Sequence, residues 1–293
     1  MAVVRKEAHD AALEHFVTVC LPYLLRNVEA GLPPRLDGAP PVVRRAASMI
    51  VASVGRVRGQ VSQDVAAAVR PVLAQLGQQG GELSAAQQKI TDAESLDHLY
   101  RADLANALAL RFAVRLAVLT GGIWPAPRRE PAQLVEVGQA ATSQVAAYER
   151  VQVLATENLA VVPGAVYPLV AAVAELLDNA LVHGGPQAHV ELGSSTEPGG
   201  GVTWLTVTDK DGPGMDDETL ATVRQVLEGG GRTPAGRPWP GLGLRLVAAA
   251  ARSLDLRVSV TSVPGQTTAG VLLPPGILVP PPAPVSHALR RFQ

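Results

Sequence analysis

The sequence predicts an α+β fold, an N-terminal helical hairpin followed by a two-layer α/β sandwich. Three observations carry this. Apolar residues recur at helical spacing through positions 42–119, Pro125-Ala126-Pro127 breaks the pattern, and β-branched runs then alternate with helical segments. A chain of 293 residues has room for two ordinary domains, and 47% hydrophobic against 17% charged residues is enough to build a core. With aromatics at 3%, that core must be made of Ala, Val and Leu.

Charge and cysteine content exclude several classes. Lys and Arg number 25 against 26 Asp and Glu, so nucleic acid or an anionic membrane is a poor main partner. The single cysteine, Cys20, excludes an internal disulfide and a cysteine-based zinc cluster. The longest apolar run, 159–177, is interrupted by Pro163, Gly164, Pro168 and Glu175, whereas a membrane span needs about 20 apolar residues. Glu7, His9, Asp10 and Glu14 stand where a signal peptide would be apolar. A cytoplasmic protein is expected.

A first helix is predicted over about 5–29, within an N-terminal segment 1–36, and Gly31-Leu32-Pro33-Pro34 ends it. From 42 to about 76, Val43, Ile50, Val54, Val57, Val61, Val65, Val72 and Leu76 mark one stripe, which the glycines of 77–81 stop. Ser84-Ala85-Ala86-Gln87 has the form of a capping box for the next helix, whose seam runs through Ile90, Leu104, Leu108, Phe112, Leu116 and Leu119 to Gly121-Gly122. Two narrow stripes bury little by themselves, so 42–122 is expected to pair with a second copy as a four-helix bundle. Packing of both helices on the first one is the alternative. The second domain, 128–275, has strands expected near 151–153, 190–192, 202–207, 258–261 and 270–273. Its helices are expected over 131–148, 166–183 and 242–253, and a Pro-rich tail, 276–293, should run over the surface.

Three segments carry the chemistry. On the 166–183 helix, Glu175, Asn179 and His183 are spaced by four and form a polar stripe beside apolar Leu176, Leu177, Ala180 and Leu181. Such a stripe is costly unless it meets a ligand, metal or partner. An Asn oxygen suits Mg²⁺ and a Glu can take a proton, although an ordinary amphipathic helix ending in His183 has the same pattern. The second segment is Asp209-Lys210-Asp211-Gly212-Pro213-Gly214-Met215, following a strand whose Leu205 and Val207 share a face with Asp209. A carboxylate there can accept from an exocyclic amine, and glycines allow close approach; a simple Asp-Gly turn is the alternative. In the third, Gly241-Leu242-Gly243-Leu244 opens a helix and exposes backbone N–H groups to a phosphate, downstream of a glycine-rich stretch, 229–232, that reads as a lid.

In this order the three segments resemble the GHKL ATPases, the superfamily of DNA gyrase, Hsp90, MutL and the histidine kinases. Glu175, Asn179 and His183 match its N box, 209–215 its first glycine box and 241–244 its second, while Gly265-Gln266-Thr267-Thr268 is similar to its closing motif. The resemblance covers about 131–274. It implies a Bergerat-type domain that binds ATP and Mg²⁺. Asn179 would hold the metal, Glu175 would be the base near the γ-phosphate, and Asp209 would accept the adenine amine. Gly212 and Gly214 would shape the pocket beside Asp211, Met215 and His183. Gly241, Leu242, Gly243 and Leu244 would cap the phosphates, and Thr268 would assist near the adenine. Lys210 departs from the Asp-x-Gly-x-Gly pattern: either one residue is inserted and Asp209 takes the role, which strand phase favours, or the adenine carboxylate is lost.

The preceding helical hairpin resembles the dimerisation and phosphoacceptor region of histidine kinases in two-component signalling. Leu96-Asp97-His98-Leu99, the linker 127–131, Ala147-Tyr148-Glu149-Arg150-Val151 and the ending 267–275 are similar to actinobacterial nitrate/nitrite-sensor-like kinases. The partners this implies are a response regulator or a small GTPase or roadblock-type protein. His98 is the candidate acceptor, projecting about 120° from the seam, though the usual His-Glu-x-x-x-Thr/Asn-Pro context is missing. A protein histidine kinase is the leading expectation. A nucleotide-gated switch without transfer is the alternative, and a serine kinase of the anti-sigma type would leave the hairpin unexplained.

Overall fold

A computed structural model describes residues 41–121, 124–154, 157–197, 202–210, 212–229 and 241–281. The helix expected over 5–29, Asp211 and the lid beyond Gly229 lie outside the described residues. The chain divides into two compact units, Met1–Val65 and Ala66–Gln293.

Helix α1, Pro41–Gln87, does not stop at the glycines of 77–81. A helical glycine costs roughly 1 kcal/mol but forbids nothing, and the Gln78 amide donates to Glu82 across this stretch at 3.0 Å. Gly80 has a further use: a Cβ there would meet Asn106 Nδ2, whose amide donates to the Leu76 carbonyl at 3.1 Å. Ser84 and Gln87 therefore close α1 instead of opening the next helix. Helix α2 is Ala93–Gly121, and its first turn is capped by Asp92, which accepts from the Ser95 N–H at 2.8 Å. The seam also differs. Asn106, Arg111, Val114, Ala117 and Val118 are buried, while Phe112 is exposed. The helix is turned so that its 111–118 face meets the sandwich.

The sandwich is built from a five-stranded sheet ordered β2-β4-β5-β7-β6: β2 (Val151–Leu154), β4 (His189–Thr196), β5 (Thr203–Lys210), β6 (Arg257–Val263) and β7 (Gln266–Leu273). The β2–β4 pair is parallel and the others antiparallel. Helices α3 (Leu134–Thr142), α4 (Pro163–His183), α5 (Asp217–Leu227) and α6 (Leu242–Leu254) form the second layer. Pro163 opens α4 at the position where its missing N–H costs nothing. The core lies between the layers, where Val190, Leu192, Leu205, Val207 and Val271 meet Leu169, Leu177 and Val247.

Two features were not expected. Asp216 accepts from the Thr219 N–H at 2.7 Å and starts α5, which buries Leu220, Val223 and Leu227. A small sheet pairs β3 (Ala160–Val161) with β1 (Ala132–Gln133) and with β8 (Leu278–Val279), so the start of the tail is pinned to the domain. By length and hydropathy alone, α2 and α4 are long and apolar enough to cross a membrane. In α4 72% of that stretch is core, and α2 carries Arg111 and Arg115 within it.

Candidate functional site

A cleft opens between α4, the start of α6 and strands β5 to β7, lined among others by Asn179, His183, Asp209, Gly214, Met215 and Leu244. Strand phase places the acid. Leu205, Val207 and Asp209 alternate inward along β5, and Lys210 lies on the exposed side, paired with Glu191. Asp209 is buried, and its Oδ1 accepts from the Thr267 N–H at 3.2 Å. Burial raises its pKa, with that hydrogen bond pulling the other way. Gly212 is required here because a Cβ would sit 2.7 Å from Oδ1.

Gly214 has φ +76 and packs on the Val263 carbonyl, where a side chain would be both strained and blocked. The Met215 N–H donates to Ser262 Oγ at 2.8 Å, and this holds the loop against β6. On the opposite wall, Asn179 and His183 stand one helical turn apart. Asn179 Nδ2 is buried without a hydrogen-bond partner. Burial lowers the His183 pKa, partly offset by the Asp178 charge.

Leu244 lines the cleft, Leu242 is largely exposed, and Gly241 is the N-cap of α6. Gly243 touches something else: a Cβ there would collide with the Glu175 carboxylate.

Two expected site residues are placed differently. Thr268 does not reach the cleft. It pairs with Thr208 through their hydroxyls at 3.1 Å on the outer face of the sheet, and Thr267, opposite Asp209, lines the cleft in its place. A period of two makes neighbouring residues face opposite ways. Glu175, read as the base, is buried and is not among the residues lining the cleft. Arg111 Nε and Nη2 donate to its two oxygens at 2.9 and 3.3 Å, and Arg115 Nη2 donates to both at 2.6 Å. With both oxygens engaged, the carboxylate cannot take a proton from a substrate in this conformation. Arg111 also donates to Asp178 at 2.6 Å and to the Gln144 carbonyl at 2.9 Å. Burial opposes the charged form of Arg111, but Glu175 and Asp178 outweigh it and the net shift is upward. Sequence reasoning missed these arginines. The available signal was two cations four apart in the otherwise apolar second half of the helix, a spacing that aims both at one neighbour.

His98 is exposed near the start of α2, thirteen residues before Arg111, or about 20 Å along the helix. Among the described residues, no group of three or more His, Cys, Asp or Glu side chains is placed to hold a metal. A cation at Asn179 would therefore take its other ligands from phosphate and water.

Solved histidine kinases overlap the chain in part. The histidine kinase domain of a blue-light activated histidine kinase from Erythrobacter litoralis is 19% identical, with 69% of this chain and 95% of that one covered, at a TM-score of 0.40. The mycobacterial sensor histidine kinase MprB is 25% identical, with 50% of this chain and 97% of that one covered, also at 0.40. No curated protein matches the sequence. Residues 164–276 match the family described as histidine kinase-, DNA gyrase B- and HSP90-like ATPases, and every residue that lines the cleft falls within that match.

Proposed function

We propose that the chain binds Mg-ATP in this cleft and acts as a histidine-kinase-like signalling protein that passes the γ-phosphoryl to a histidine and then to a partner. The observation that carries the reading is the constellation of a buried Asp209 tied to the Thr267 N–H, kept accessible by Gly212, across from Asn179. The buried, unpartnered amide of Asn179 fits a ligand that brings a metal and phosphate oxygens. Asp209 would accept from the adenine amine and Asn179 would hold Mg²⁺ through its amide oxygen. Mg²⁺ would neutralise charge on the phosphates.

His98 is the proposed acceptor. A ring nitrogen would attack the γ-phosphorus, ADP would leave with the bridging oxygen, and the ring proton would pass to solvent. Because His98 stands about 20 Å along α2 from Arg111, transfer needs a second copy or a displaced α2. Apolar Val57 and Val61, exposed on α1, support pairing of two copies. A cytoplasmic setting and a response regulator or small GTPase/roadblock-type recipient complete the proposal.

The hold of Arg111 and Arg115 on Glu175 favours a second reading, a nucleotide-gated switch without transfer. Calorimetry with ATP and Mg²⁺ tests the shared part: binding by the wild type and by Lys210→Ala, weakened at least ten-fold in Asp209→Ala and Asn179→Ala. Labelled ATP separates the two. An acid-labile phosphoprotein that His98→Ala abolishes means transfer, and ATP binding without phosphoprotein means a switch.

A further inference from the structure

The contact between α2 and the ATPase domain has an unusual make-up. Its apolar part is a small cluster of Val114, Val118, Ala171 and Leu246, separate from the main core. Beside it lies a cavity of about 150 Å³, bounded by Leu73, Leu110, Val170 and Tyr167 among others. A contact with a void in it gains less from closing than a fully packed one, so separation costs less. The polar part is the reverse, because it is saturated. All three guanidinium nitrogens of Arg111 have acceptors, and Glu175 accepts on both oxygens. An ion pair buried this completely defines one docked arrangement and leaves nothing over for a ligand.

Glu175 is also walled on its other side, where Gly243 at the opening of α6 leaves no room for a side chain. Asn179, His183 and Asp209, by contrast, all line the cleft with α2 docked. The groups assigned to nucleotide binding are thus in place while the one assigned to turnover is withdrawn.

We infer that Arg111 and Arg115 are positioning residues that hold the ATPase site off by drawing Glu175 out of the cleft, and that turnover requires α2 to leave α4. This rests on the nucleotide reading of the cleft and on Glu175 as its base. Its consequence is a separation of two constants, since release of α2 changes the rate of turnover and not the affinity for ATP.

The test uses the full chain with ATP and Mg²⁺. Arg115→Gln removes a charge and keeps most of the shape. It should raise kcat at least five-fold with the ATP Kd unchanged within two-fold, and Arg115→Lys should return turnover to the wild-type rate. Val118→Asn loosens the apolar half of the contact without touching an ion and should also raise kcat. Amide exchange across residues 111–118 should quicken in both activating variants. Normal ATP binding with turnover unchanged or lowered in both overturns the inference, as does a Lys variant as active as the Gln variant. Failure of the wild type to bind ATP at all overturns the nucleotide reading beneath it.

Discussion

Asp209 and Lys210 are neighbours in sequence, yet β5 sends one into the cleft and the other to solvent beside Glu191. Asp209→Ala should therefore weaken ATP binding roughly ten- to a hundred-fold, about 1.4–2.8 kcal/mol, through loss of the charged acceptor. Lys210→Ala should stay within two-fold, and calorimetry reads both. Thr267→Ala should weaken binding and Thr268→Ala should not, which tests the exchange of the two threonines by register. His183 adds a pH dependence. Its folded pKa lies below the ordinary 6.5, chiefly through burial and against the opposing charge of Asp178. Between the two values the unfolded chain binds more protons, so this group's contribution is present above 6.5 and is lost as pH falls through the window beneath it. Denaturant midpoints should drop between pH 7.5 and 5.5, and the drop should shrink in His183→Gln. An equal drop in that variant would remove His183 as the cause.

At the scale of elements, the cleft was legible because its determinants are local. Asn179 and His183 share a face through the spacing of one helical turn, and the phase of β5 alone selects Asp209. Glu175 lies on the same stripe, and its place outside the cleft was not foreseen. Its partners are 60 and 64 residues upstream, and no periodicity within α4 encodes a contact made with another helix. The hairpin was misjudged for a different reason. Glycines at 77, 80 and 81 read as a stop, but they are tolerated inside a helix and one of them admits Asn106. Helix α5 was passed over although Asp216 precedes Leu220, Val223 and Leu227 at helical spacing. Asp216→Ala should lower unfolding free energy by about 1 kcal/mol in a urea titration. A change well under that would mean the helix is held by its apolar face alone.

For the whole molecule, the open question that α1 poses is what covers its apolar positions. Val57 and Val61 are 65% and 56% exposed, and they stand four apart on one face of a 47-residue helix. Single exposed valines are ordinary, but a repeated row along a long helix is the pattern by which helices pair. A second copy offers the same row, and two hairpins side by side make a four-helix bundle in which each stripe is buried by the other. Substituting both positions, Val57→Glu with Val61→Glu, would place like charges across such a seam at its centre. Light scattering on the eluting protein should then report twice the chain mass for the wild type and a single chain for the double variant. The cleft is formed by residues 176–269, far along the chain from either substitution, so the variant should bind ATP within two-fold of the wild type. If His98 receives phosphoryl from the other copy, the same variant should also lose the acid-labile phosphoprotein while keeping its ATP affinity. A monomer that is still phosphorylated would show instead that α2 swings within one chain, which is the movement that release of Glu175 by Arg111 and Arg115 would permit.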